Sequence, residues 1–203
     1  AWTRAHMGYV DRGDVERAAR CAFWLAFGLM SRGNRARASG WFERARRLLE
    51  GRDHECVEHG FLLIPDGLER LARGDAAEAD VTFRRAAEIA QRFDDPDLAA
   101  LARLGRGEAF VRLGRIEAGV VLLDEAMAAV EAGELTPIVV GTVYCAVIET
   151  CHDIFELRRA AEWTDALTRW CRAQPELVLF RGQCLVRRAE ILQLRGEWPD
   201  ALE

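Results

Sequence analysis

The stretch R73-G-D-A-A-E-A-D-V-T-F-R-R-A-A-E88 carries a spacing that decides the fold. Gly74 is followed by a small residue after five positions (Ala79), an aromatic after nine (Phe83) and alanine after twelve (Ala86). The same offsets occur in R32-G-N-R-A-R-A-S-G-W-F-E-R-A-R46, where Gly33 is followed by Ala38, Phe42 and Ala45. Offsets of five, nine and twelve differ by steps of four and three, which place all three residues on one face of a helix. A glycine just before that helix is suited to the left-handed turn that closes the preceding one. Each copy therefore reads as the end of one helix and the start of its partner. Small residues let the partner approach closely, and the large one fills the groove between them.

The pattern continues along the chain. Gly114 is followed by Gly119, Leu123 and Ala126, again small, large and small. Near 155 it blurs: Phe155 occupies the glycine slot, followed by Ala160, by Trp163 one position early and by Leu167. It resumes at Gly196 in G-E-W-P-D-A201. Slots at 33, 74, 114, 155 and 196 give a period of roughly 40 residues, the mark of a helical repeat array.

Proline in the first turn at Asp95-Pro96, Thr136-Pro137 and Gln174-Pro175 adds helix starts, with Asp95 and Thr136 as N-caps. The punctuation predicts helices over 2–11, 14–31, 35–50, 53–72, 76–92, 96–113, 116–131, 137–153, 157–173 and 176–194, with a further start at 198. No segment alternates as a strand does. The expected fold is an all-α, right-handed solenoid of antiparallel helix pairs. It forms a single repeat domain over 1–203, a piece of a longer chain because the last repeat lacks a neighbour and a polar capping face.

Composition narrows the function classes. The 203 residues are 50% hydrophobic, enough for a real core, and 33 acidic residues outnumber 28 basic ones for a formal charge of −5. All the basic residues other than histidine are arginine, and none cluster into a run that would track a phosphate backbone, so no nucleic-acid contact is expected from this segment. The longest apolar run, C21-A-F-W-L-A-F-G-L-M30, is too short for a membrane span of roughly 18 residues or more. Cys21, Cys56, Cys145, Cys151, Cys171 and Cys184 form no C-x-x-C pair, and the expectation is a reduced, cytoplasmic protein.

The glycine, small, aromatic, alanine pattern resembles the tetratricopeptide repeat, in its longer form. Y144-C-A-V-I-E-T-C151, A161-E-W-T-D-A-L-T-R-W-C171, Gln174-Pro175 and F180-R-G-Q-C-L-V-R-R-A-E190 together resemble actinobacterial LuxR-type transcriptional regulators of MalT-like plan. The resemblance covers nearly the whole chain. It implies a sensor or interaction region that relays binding to a helix-turn-helix reader outside the chain.

Each chemical candidate has a packing alternative. Without lysine no nucleotide-binding G-x-x-x-x-G-K-[ST] loop can form, and the glycines of L104-G-R-G-E108 and L113-G-R115 read as caps or close packing points. His54, Cys56 and His59 lack the further ligands that zinc requires, so they read as structural or solvent-facing. Cys145, Cys151, Cys171 and Cys184 read first as small apolar packing residues and second as a metal or redox set. Asp94, Asp95 and Asp97 read as helix caps. His152 directly follows Cys151, which points the two side chains apart on a helix and leaves a cysteine nucleophile without a base, so no enzyme, cofactor or metal is expected.

Tyr144, Trp163, Trp170, Gln174 and Arg181 are the candidate ligand-binding residues, because indole faces and a guanidinium fork suit the capture of a peptide or small acid. The expected partner is a protein or peptide, or a small effector, with self-association as a further option. The alternative is a plain interaction scaffold with no small-molecule ligand.

Overall fold

The computed structural model describes residues 2–51 and 54–173, together with isolated positions between 186 and 201. Nine α-helices and no strand occur among the described residues: α1 (Trp2–Asp11), α2 (Val15–Met30), α3 (Arg35–Leu49), α4 (Val57–Ala72), α5 (Ala76–Phe93), α6 (Pro96–Arg112), α7 (Ile116–Glu131), α8 (Pro137–Asp153) and α9 (Leu157–Ala173). Helices α2, α4, α6 and α8 pack in succession as one row. Helices α3, α5, α7 and α9 each pair with the row helix before them and form a second layer, as a helical-repeat solenoid requires. The helix expected over 176–194 and the start at 198 fall largely outside the described residues.

The glycine slots do what their spacing implies. Gly33, Gly74 and Gly114 have φ of 75°, 88° and 75°. Beyond each, the next amide reaches back over the turn: Asn34 to Leu29 O, Asp75 to Arg70 O and Arg115 to Phe110 O, each at 2.9 Å. These are Schellman closures, which satisfy carbonyls left over at a helix end. Phe155 takes the same conformation with φ 61°, and Glu156 N–H donates to Cys151 O at 2.8 Å. The blurred repeat is thus a full repeat whose glycine has been replaced by a strained, 82% exposed phenylalanine.

The offset of nine has an equally direct cause. Phe83 is fully buried, and a Cβ on either Gly67 of α4 or Gly105 of α6 would meet its ring at 2.5 Å. The aromatic of α5 is therefore seated in a slot that two row helices leave open by carrying glycine. Leu123 of α7 does the same against Gly107, where a Cβ would lie 2.8 Å from Leu123 Cδ2. Gly105 and Gly107 accordingly are close-packing points inside α6, not caps.

The structure corrects three expectations. Helix α4 begins at Val57 rather than at 53, because extended Cys56 is its N-cap and donates its N–H to His59 Nδ1 at 3.2 Å. In the fourth repeat the ninth position is Thr164, not Trp163: Thr164 is buried and donates its hydroxyl to Ala160 O at 2.7 Å. Asp97 is no simple cap, since its carboxylate accepts from Thr136 N–H at 2.8 Å and from the Thr136 hydroxyl at 2.6 Å. Thr136 stands at the N-cap of α8 with its side chain committed to that bridge between repeats.

Two glycines at helix-interior positions should respond with opposite signs. Gly40 of α3 faces open space where a methyl group would go, so Gly40→Ala should stabilise by about 0.5–1 kcal/mol through helix propensity. Gly105→Ala should instead destabilise by about 1–3 kcal/mol because it overpacks Phe83. Phe83→Leu should recover part of that loss, read as a non-additive double-mutant cycle in urea melts. Phe155→Gly should raise stability by about 1 kcal/mol, or about 2–4 °C in Tm, because the side chain contributes little burial and its left-handed backbone is costly. A lower Tm would show that the exposed ring supports the fold.

Candidate functional site

Of the five candidate ligand-binding residues, the structure describes three. Tyr144 of α8 is buried, and its ring meets Trp170 of α9 with centroids 6.2 Å apart at 44°. Burial, followed by the Glu131 carboxylate, raises the Tyr144 hydroxyl above its ordinary value. Trp170 and Trp163 are half-buried against the core two turns apart on α9, and the Trp163 Nε1 is buried with no hydrogen-bond partner among the described residues. Tyr144 and Trp170 thus join as a packing pair between α8 and α9. Gln174 and Arg181 lie outside the described residues, as does Cys184.

Cysteine chemistry is muted. The thiol of Cys151 is fully buried, and burial holds it up at about 11. Cys56 is held up at about 11 by burial and then by the Glu58 carboxylate beside it. Burial thus disfavours the free thiolate at both positions. Among the described residues, no group of three or more His, Cys, Asp or Glu side chains is arranged to hold a metal ion. His54 instead pairs with Glu16 at 3.0 Å, and His59 caps α4.

Charge networks that carry no sequence signature tie the repeats together. Arg20 of α2 reaches Glu58 of α4 at 3.2 Å and Asp95, the N-cap of α6, at 3.3 Å. Its guanidinium lies 3.7 Å over the Phe61 ring, so one arginine links three row helices. Arg106 of α6 meets Asp80 of α5 at 2.9 Å, and Arg159 of α9 pairs with Asp124 of α7. Members of these pairs lie 26 to 75 residues apart, beyond the reach of any local pattern.

Among the described residues, three clefts between helices are open to solvent. One of about 370 Å³ lies between α3 and α4, where Phe42 and Leu68 meet Arg46, Asp66 and Glu69. A second of about 430 Å³ is lined by Asp14, Glu16 and Arg17 of the α2 start, Cys56 to Glu58, and Phe93. The third, about 360 Å³, lies between the C-terminal turns of α6 and α8 and is lined by Glu108, Val111, Arg112, Ala146, Glu149, Thr150, Asp153 and Ile154.

The first two clefts hold carboxylates that are already paired or sit at helix starts. In the third the acids lie in the last turns of two helices, where the backbone carbonyls already make the field negative. Burial holds the Glu108 carboxyl up at about 7; Arg112 works against this, and Glu149 and Asp153 add to it.

A two-layer repeat of helices with open clefts between repeats defines a tetratricopeptide-like helical repeat region. A comparison with solved structures agrees. The crystal structure of a Signal Transduction ATPase with Numerous Domains protein with a tetratricopeptide repeat sensor, from Pyrococcus horikoshii, superposes with a TM-score of 0.54 at 13% identity. The match covers 92% of this chain and 29% of that one, so the chain spans under a third of its length. No family model and no curated protein matches the sequence. No helix among the described residues is long and apolar enough to cross a membrane.

Glu108 makes stability depend on pH. A carboxyl in the unfolded chain ionises near 4.5, whereas the native chain keeps its Glu108 proton up to about 7. The native state binds more protons across that window, so stability falls as pH rises from 4.5 to 7 and stays low above it. Glu108→Gln should therefore stabilise by about 2 kcal/mol at pH 8, discounted for partial exposure, and by little at pH 4. Urea melts at the two pH values check this.

Proposed function

We propose that this chain is the interaction and sensor segment of a larger LuxR-type transcriptional regulator, non-catalytic and cytoplasmic, which docks a peptide or partner domain along its repeats. The observation that carries the reading is the set of open, partly charged clefts between repeats among the described residues. An array of this kind recognises chain segments, because each cleft offers a short stretch of contact and neighbouring clefts repeat it. The LuxR assignment is supported by the run from Tyr144 to Glu190. The TM-score of 0.54 to a protein with a tetratricopeptide repeat sensor supports the sensor role at the level of fold.

A second reading, in which a small effector is enclosed, has one observation in its favour. Among the described residues the buried Trp163 indole N–H has no partner, and such a donor is costly to leave unmet. A bound carboxylate or phosphate would satisfy it.

Comparing the native mass of the purified chain with its denatured mass separates the two. The docking reading expects equal masses. An excess of a few hundred daltons, lost on denaturation and on Trp163→Phe substitution, would move the function to the enclosed effector.

A further inference from the structure

Helix α1 packs on α2 with one face covered and the other exposed. The covered face is pinned by the buried His6. Its Nδ1–H donates to Ala18 O of α2 at 2.9 Å, and its Nε2 accepts from Arg44 Nε of α3 at 2.8 Å. The same ring meets Trp41 edge-on, with centroids 5.2 Å apart. These contacts to two helices fix how α1 is rolled about its axis. Ala5, His6 and Tyr9 turn inward, and Arg4, Met7 and Asp11 form one exposed stripe on the far side at steps of three and four. Val10 lies beside Met7, and the two are 38% and 59% exposed.

The charges of this stripe are set against their own helix. Arg4 lies in the first turn, where the helix dipole favours acids, and Asp11 is the last residue, where it favours bases. Helices α2, α4, α5, α6 and α7 all carry an acid in the first turn instead. Neither Arg4 nor Asp11 makes a hydrogen bond or ion pair with another of the described residues. Nothing within the chain therefore accounts for their placement.

A second, antiparallel α1 does account for it. Arg4 and Asp11 lie equally far from the point between Met7 and Gly8, about 5 Å along the axis on either side. A twofold axis through that point reverses the second helix and keeps like flanks together, as an isologous contact requires. Arg4 then comes level with the partner's Asp11, and Asp11 with the partner's Arg4. Two ion pairs bracket a centre where Met7 packs on the partner's Met7 and Val10 covers the other flank. Each guanidinium also sits near the C-terminal carbonyls of the opposite helix, and each carboxylate near its N-terminus, so the dipoles that disfavour these charges within one chain favour them across two.

We propose that the exposed face of α1 is a self-association surface, occupied by the α1 of a second copy of this chain. The surface is separate from the clefts between repeats and does not depend on what they bind. Ten residues of helix span about 15 Å, so the area covered lies at or below the low end for stable complexes. Association is accordingly weak, with a Kd of about 10–300 μM, and the dilute chain is a monomer.

Sedimentation equilibrium of the 203-residue chain at low salt, over about 5–500 μM, measures this. The expected result is a reversible monomer–dimer equilibrium, whose doubling of mass is distinct from the small fixed excess of a bound effector. Arg4→Asp and Asp11→Arg each place like charges opposite one another twice, and each should weaken association about tenfold or more. An equimolar mixture of the two variants restores opposite charges at both places and should associate about tenfold or more tightly than either variant alone. Both substitutions bring α1 into line with its own dipole, so a Tm at or above wild type shows that lost association is not lost folding.

A chain that stays monomeric at about 500 μM overturns the proposal and leaves the face to another occupant, a further helix or a different protein. A dimer that neither substitution weakens, or whose variants do not recover on mixing, uses another face and overturns it too. Mass that grows past the dimer would mean an open, heterologous contact, which the twofold arrangement excludes.

Discussion

A single left-handed residue between consecutive helices is the constraint on which the array depends. Each of the eight junctions from α1 to α9 contains one: Gly13, Gly33, Gly51, Gly74, Asp94, Gly114, Gly133 and Phe155. Among the described residues, seven of them place an amide in a six-to-one bond back over the turn, at Asp14, Asn34, Asp75, Asp95, Arg115, Glu134 and Glu156. Because the helix is closed and the chain reversed within a few residues, the next helix begins in contact with the one before it. Its small and large positions can then face that neighbour in a fixed register, so closure and side-chain pattern repeat together.

Closure alone does not hold a stack, and the second element is shape. Phe83 between Gly67 and Gly105, and Leu123 against Gly107, show that the large residue of the second-layer helix enters gaps left by glycine in the row helices. Polar links then fix neighbouring repeats to one another, through Arg20 with Glu58 and Asp95, and through Asp97 with Thr136. These buried or half-buried links are specific in geometry and make each repeat answer to the next.

Much of this was legible in the sequence, and for a physical reason. Helix caps and three-four spacing are local, so the boundaries of every described helix except α4 follow from Gly, Pro and the apolar face within a residue. What escaped was non-local. The start of α4 depends on the capping of Cys56 by the His59 ring, and Thr164 rather than Trp163 faces inward because burial in α9 keeps the strict offset of nine. The candidate site is harder to read from residue type. Indole and phenol side chains suit both cores and pockets, and the Tyr144 and Trp170 rings meet 6.2 Å apart between α8 and α9. In the sequence Phe155 stands out only as a missing glycine, and Glu108 only as the end of a glycine-containing stretch. Neither a left-handed backbone nor a desolvated carboxyl can be read from residue type alone.

The array therefore separates its tasks by position. Glycine and alanine occupy the places where helices must approach, while Phe155 takes the left-handed place that glycine holds at most other junctions. If each junction is closed in the same way, the Phe155 junction must behave like those made by glycine. Amide hydrogen exchange measures this directly at the six-to-one bonds. The account predicts that Glu156 N–H, bonded to Cys151 O at 2.8 Å, exchanges as slowly as Asp75 and Arg115 N–H, bonded at 2.9 Å. Exchange at Glu156 at the rate of an open loop, with Asp75 and Arg115 protected, would contradict a common closure and leave the fourth repeat outside the pattern.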